Sequence, residues 1–295
     1  FSKFVSVGNS LTSGFRDGAL YLDGQNESFP SMLAQQMALA GGTQTFTQPL
    51  MPNNVGGFTN LYAASGNTEF YGKLTLSQTL SPTPSAPGAN LDVIGGAGKY
   101  FNNMGVPGAK SFHLITPGYG SAANLAAGKA NPYFVRFATS ATTTVLADAA
   151  AQKPSFYTLW IGNNDVLSYA TSGGSGVDQK GNLDPSTYGS NDISDPNVVA
   201  NVIKTVITSL KTANANSKGA IANIPYVTSI PYFTTVPATP IAGLTATQVS
   251  QLNAAYATYN GGLLTLKNLG AITTAEYNAR LIKFSENGVN GAVIV

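Results

Sequence analysis

Short apolar segments that alternate with helical patterns constrain the fold of this chain more than any other feature. Residues 3–7 alternate in hydropathy before a Gly-Asn-Ser turn, and residues 155–161 form a continuous apolar run between Pro154 and Gly162. An uninterrupted run of this length is typical of a strand buried on both faces of a parallel sheet. Further strands are predicted at 100–104, 218–224 and 291–295, and helices at 28–40, 196–210, 245–266 and 274–286. Strand, helix and strand in alternation predict an α/β fold with a mainly parallel sheet and helices on both faces.

No internal repeat divides the chain, so we expect a single domain over residues 1–295 with a helical insert at about 240–290. Long polar segments at 43–98, 115–140 and 168–193 interrupt the alternation. Loops of such length inside a compact domain are usually functional. We therefore expect these three loop insertions to form a substrate cleft.

Composition excludes several classes of protein. There is no cysteine and a single histidine, His113, so a cysteine nucleophile, a thiolate cluster, a disulfide scaffold and a histidine-rich metal site are all excluded. Charged residues make up 9% of the chain, against about 25% in an ordinary domain. The net charge of +2 without basic clusters argues against nucleic acid as a partner.

Membrane insertion is not predicted either, because proline interrupts the uncharged stretch 219–266 and no apolar run reaches the roughly 18–20 residues a spanning helix needs. We expect no metal or organic cofactor. The scarcity of charge and the absence of cysteine favour an exported protein, in the periplasm, on the cell surface or secreted.

Three polar segments follow predicted strands, where the reactive groups of a parallel sheet lie. The first contains Ser10, the second Gly105 and the third Asn164. A serine held rigidly at a strand end can act as a nucleophile, while a glycine N–H and a side-chain amide can donate to an oxyanion. Each segment also has a plainer interpretation, as a capping serine, a Gly-Pro turn and an asparagine-rich turn respectively.

Taken together and in this order, the segments resemble the conserved blocks of the SGNH or GDSL hydrolase superfamily. The Gly-Asn-Ser-Leu of residues 8–11 is similar to its first block, Gly105 to the glycine of its second, and residues 162–165 to its Gly-x-Asn-Asp block. The resemblance implies a flavodoxin-like three-layer α/β/α fold and an esterase, lipase-like acylhydrolase or carbohydrate deacetylase. Ser10 would be the nucleophile, with an oxyanion hole from Ser10 N–H, Gly105 N–H and the Asn164 amide. The substrate would be a small-molecule, lipid or glycan ester.

The base that activates serine in that superfamily belongs to an Asp-x-x-His block, which this sequence does not contain. His113 lies between the second and third blocks, and we expect it to have a structural role. Asp165 is expected to brace its own segment. Because residues 291–295 end inside a predicted strand, we expect the chain to be an amino-terminal part of a longer polypeptide that carries the Asp and His. The alternative is a non-catalytic module of the same fold that binds glycans or surface partners.

Overall fold

The structure, a computed structural model, describes residues 1–42, 45–235 and 243–286, and the backbone of 288–290. The strand predicted at 291–295 lies outside these residues. The described strands are, in chain order, β1 (Phe4–Gly8), β2 (Leu74–Leu76), β3 (Pro82–Pro84), β4 (Asn103–Gly105), β5 (Phe156–Trp160), β6 (Lys218–Ile221), β7 (Lys283–Ser285) and β8 (Gly288–Asn290).

Twelve α-helices occur among the described residues, several of them only one or two turns long. They are α1 (Ser10–Ser13), α2 (Leu22–Asn26), α3 (Phe29–Leu39), α4 (Thr59–Ala64), α5 (Pro132–Phe137), α6 (Val145–Ala151), α7 (Asn163–Thr171), α8 (Pro196–Ala213), α9 (Pro231–Thr234), α10 (Ala246–Ala255), α11 (Ala257–Asn268) and α12 (Thr274–Arg280). A 3-10 helix covers Ser111–Ile115. None of the helices in these ranges has the length and apolar character needed to cross a bilayer.

The central sheet has the order β4-β1-β5-β6, and all three pairings are parallel. This confirms the predicted α/β class with a parallel sheet, and it is compatible with a three-layer arrangement. Gly8 at the end of β1 pairs in register with Gly105 on one side and with Trp160 on the other. The segments that follow β1, β4 and β5 therefore leave the sheet at the same edge.

The predicted helix 196–210 is observed as α8 and carries a large part of the core. Asp195 caps it by accepting hydrogen bonds from the N–H groups of Asn197 (2.7 Å) and Val198 (3.2 Å), and Pro196 occupies its first position. Its buried side chains recur every four residues, at Val198, Val202, Val206 and Leu210. Burying each such side chain stabilises the fold by about 1.5–3 kcal/mol, so this stripe is a major contribution to the core around the sheet.

The long segment 43–98 contains regular structure that the sequence does not predict. It holds α4 and the antiparallel pair β2 and β3, whose residues are all exposed and therefore lack an apolar alternation. The segment is held by Arg136, which is fully buried. Its guanidinium donates to the carbonyl oxygens of Pro49 (3.1 Å) and Leu50 (3.0 Å) and to the carboxylate of Asp92 (3.0 Å).

The chain divides into two compact units, Phe1–Ile224 and Pro225–Val295. In the second unit the predicted helix 245–266 is two helices, α10 and α11, that meet at Tyr256. Two asparagine side chains hydrogen-bond to the backbone near β7. Asn253 bonds the N–H and the carbonyl oxygen of Phe284, and Asn260 bonds the N–H and the carbonyl oxygen of Ile282. The assignment of the whole chain to one domain, with residues 240–290 as an insert, stays a prediction. The candidate site lies in the first unit.

Candidate active site

Ser10 is held by the tight connection between β1 and α1. Gly8 must be glycine, because a Cβ at this position would collide with the Thr12 hydroxyl and the Trp160 carbonyl oxygen. The buried Asn9 side chain accepts a hydrogen bond from Leu11 N–H (3.1 Å) and donates from Nδ2 to Asn163 Oδ1 (3.0 Å). The first and third predicted segments are thereby tied together, and the Ser10 backbone is fixed in direction.

The Ser10 side chain opens into a cleft with a volume of about 660 Å³. Ser10 is partly exposed, and within the described residues its Oγ has no hydrogen-bond partner. Asn164, in the first turn of α7, lines the same cleft, and its Nδ2 donates to the Ala109 carbonyl oxygen (2.9 Å). The structure therefore brings together two of the three predicted site residues, a free hydroxyl and an oriented amide.

Gly105 is placed differently. It is buried at the end of β4, where a Cβ would collide with the Ser13 backbone, and it does not line the cleft. Its N–H donates to the side chain of Asn103 (3.0 Å). This geometry leaves Gly105 N–H unavailable as an oxyanion donor.

Of the glycines in the second segment, Gly108 lines the cleft, and it was not among the predicted site residues. It is exposed, and its N–H has no hydrogen-bond partner in the described part of the chain. Its φ of 78° is typical of the third residue of a type II turn, and Ala109 N–H closes that turn on the Val106 carbonyl oxygen (3.1 Å). The sequence signal was present, since proline followed by glycine favours this turn.

The walls of the Ser10 cleft are apolar and aromatic. They include Phe15, Phe70, Leu74, Pro84 and Tyr133, and no Asp, Glu, Lys, Arg or His among the described residues lines it. Segments 43–98 and 115–140 both contribute side chains, whereas segment 168–193 contributes none. Burial raises the pKa of Tyr133 to about 12, so its phenol is neutral at pH 7. The cleft suits a neutral, largely apolar group.

His113 lines a different cleft and has a different task. Its Nδ1 accepts a hydrogen bond from Lys110 N–H (3.0 Å), and its ring stacks on Tyr119 at a centroid distance of 4.4 Å and an interplanar angle of 5°. Burial, together with the positive charge of Lys110, lowers the pKa of His113 to about 4. A neutral ring with an occupied Nδ1 in another cleft does not serve Ser10 as a base.

Asp165 connects the beginning of α7 to the 3-10 helix. Its buried carboxylate accepts hydrogen bonds from the N–H (2.7 Å) and the hydroxyl (2.8 Å) of Ser111. Burial raises the pKa of this carboxyl above its ordinary value. The geometry agrees with a bracing role rather than with proton transfer at Ser10.

The described residues contain no group of three or more His, Cys, Asp or Glu side chains that could hold a metal ion. Comparison with protein-family models, with curated proteins and with solved structures gives no match to this chain. Its function therefore has to be argued from the residues of the site.

Proposed function

We propose that this chain is a serine ester hydrolase of the SGNH kind, with Ser10 as its nucleophile. One observation carries the proposal: the Ser10 hydroxyl, which has no partner among the described residues, opens into an uncharged apolar cleft that also contains the Asn164 amide. A hydroxyl on a rigid turn, beside donors that do not need to reorganise, is the arrangement that acyl transfer requires. An apolar cleft of about 660 Å³ accommodates the acyl group of a neutral ester.

The oxyanion hole in this proposal consists of Ser10 N–H, the Asn164 Nδ2–H that does not bond Ala109, and Gly108 N–H in place of Gly105 N–H. All three residues line the cleft. As Ser10 Oγ attacks the acyl carbon, the carbonyl oxygen gains negative charge, and these donors stabilise it. Loss of one such donor typically lowers the rate about 10²- to 10³-fold.

The proton that leaves Ser10 Oγ needs an acceptor, and the described residues of the cleft include no group that titrates near pH 7. In the resembled superfamily the histidine of an Asp-x-x-His block accepts this proton, and the 295-residue sequence contains no such block. In this proposal, water or added imidazole therefore takes the proton from Ser10 Oγ. The chain of 295 residues is then expected to react slowly, and added imidazole is expected to accelerate it.

Labelling with a fluorophosphonate, followed by intact mass measurement, tests the assignment of Ser10. We expect slow labelling that imidazole accelerates, and none in Ser10→Ala. Ser13→Ala is the matched control, because Ser13 lies in the same short helix and its hydroxyl donates to the Ser10 carbonyl oxygen (2.9 Å). Labelling that persists in Ser10→Ala would overturn the proposal.

A second candidate function is supported by the missing base. If neither imidazole nor alkaline pH produces labelling of the folded chain, the Ser10 cleft is better interpreted as a binding site in a non-catalytic module. Binding of a neutral ester without turnover, measured by calorimetry, would then be the expected result.

A further inference from the structure

A second cleft, of about 530 Å³, lies beside His113 and has a different chemical character. Tyr119 and Phe112 contribute aromatic walls, and residues 184–186 and 188–190 line the cleft as well. None of its residues belongs to the proposed oxyanion hole, and none lines the Ser10 cleft. Segment 168–193, which supplies nothing to the Ser10 cleft, supplies part of this one.

The hydrogen bond to Nδ1 determines what His113 presents to this cleft. Because Nδ1 accepts from Lys110 N–H, the neutral ring carries its proton on Nε2. Stacking on Tyr119 fixes the plane of the ring. Among the described residues Nε2–H has no partner, so a directed neutral donor is available.

The other polar groups of the cleft include both donors and acceptors. Lys129 is exposed and forms no ion pair within the described ranges. Asn124 donates from Nδ2 to the Gly118 carbonyl oxygen (3.0 Å), and no donor in the described part of the chain bonds its Oδ1, which can therefore accept. Asp184 is a further acceptor, already bonded to the Ser186 N–H (3.0 Å) and hydroxyl (2.7 Å).

This mixture selects one class of ligand. A hydrocarbon chain would remove His113 Nε2–H and the Lys129 ammonium from water without offering either a partner, which is unfavourable for polar groups. An anion would satisfy His113 and Lys129 but would face the Asp184 carboxylate. The other lysine of the cleft, Lys110, already donates from Nζ to the carbonyl oxygens of Asp192 (2.7 Å) and Gly189 (3.4 Å). Hydroxyl groups both donate and accept, and therefore match all of them beside an aromatic wall.

We infer that this second cleft binds a neutral carbohydrate, with His113 Nε2–H donating to a sugar oxygen. The inference does not rest on the proposed hydrolase activity, because no residue of the second cleft takes part in the Ser10 chemistry described above. It holds for a hydrolase and for a non-catalytic module.

The single histidine makes the test direct, since selective ¹⁵N labelling of histidine reports His113 alone. In the free protein at neutral pH, we expect the ¹⁵N signals of a neutral imidazole that carries its proton on Nε2. Titration with cellohexaose, xylohexaose, maltohexaose and chitohexaose should give a saturable shift of Nε2 with at least one of them. Calorimetry of the same sugar then provides the affinity.

Variants test whether the sugar binds in the second cleft or elsewhere on the surface. Loss of one hydrogen bond should weaken binding roughly three- to tenfold in Lys129→Met and in His113→Asn. Lys204→Met, a lysine on α8, is the matched control and should bind as wild type does. Ser10→Ala should also bind normally, so failure of the hydrolase proposal does not affect this one.

Three results would overturn the inference. They are no Nε2 shift with any of the four sugars, saturable binding of inorganic phosphate or octanoate alone, and sugar binding that neither Lys129→Met nor His113→Asn weakens.

Discussion

The unusual protonation of His113 predicts how the stability of the first unit depends on pH. Burial and the charge of Lys110 lower its pKa to about 4 in the folded chain, whereas the unfolded value is 6.5. Between these values the unfolded chain binds more protons than the folded chain does. The stability that the neutral ring contributes is therefore fully present above pH 6.5 and is lost as the pH falls through about 4.

The magnitude follows from this interval. From 6.5 to about 4, at about 1.36 kcal/mol per pH unit, the free energy of unfolding should decrease by about 3 kcal/mol. Carboxyl groups titrate in part of the same range, so the informative quantity is the difference between wild type and variants without the imidazole. His113→Phe retains a ring to stack on Tyr119, and His113→Asn retains an acceptor for Lys110 N–H.

Urea unfolding at pH 7, 6, 5 and 4 measures this difference, and the fluorescence of the only tryptophan, Trp160 in β5, reports on the first unit. We expect wild type to lose about 3 kcal/mol more than either variant between pH 7 and pH 4. A ¹⁵N titration of His113 should have its midpoint near pH 4. A midpoint near 6.5, or stability curves that run parallel in all three proteins, would refute the reasoning.

Three further predictions concern the site and its support. Asn164→Ala should lower the rate of fluorophosphonate labelling about 10²- to 10³-fold while the melting temperature changes little, and an unchanged rate would remove Asn164 from the oxyanion hole. Arg136→Met leaves two carbonyl groups and a carboxylate without their buried partner, so calorimetry should show a loss of about 3–5 kcal/mol, or roughly 10 °C in melting temperature. Gly105→Ala should fail to fold, because its Cβ would collide with the Ser13 backbone. Gly108→Ala meets no such contact, but its left-handed φ should lower the free energy of unfolding, measured in urea, by about 1–2 kcal/mol. Equal stability of the two glycine variants would contradict this placement.

Local patterns were sufficient for the central sheet and its main helix. The strands β1 and β5 and the helix α8 were predicted to within a few residues. A short, largely apolar segment that ends at turn residues indicates a buried strand, and apolar residues with a period of 3.6 indicate a helix with one buried face. The same reasoning missed β2 and β3, since both are exposed and one begins and ends with proline. It also merged α10 and α11, because hydropathy does not detect a break at a single residue.

The candidate site was predictable only in part. Ser10 and Asn164 could be singled out because each lies in the segment that follows a strand, and parallel strands align their carboxyl ends. The availability of a backbone donor could not be identified in this way. Whether Gly105 or Gly108 has a free N–H depends on the Asn103 side chain and on the turn that follows.

The amino-acid pattern therefore determines the parallel α/β framework and the edge of the sheet at which Ser10 and Asn164 lie, because strand and helix periodicity are local properties. The three-dimensional packing decides which cleft each side chain lines and which partners it bonds. It places the only histidine in a second cleft, ties its Nδ1 to Lys110 and keeps the ring neutral. The protonation and hydrogen bonding of a side chain depend on its burial and on partners that are distant in the sequence. Asp165 and Ser111, for example, are bonded to each other and lie more than fifty positions apart in the chain.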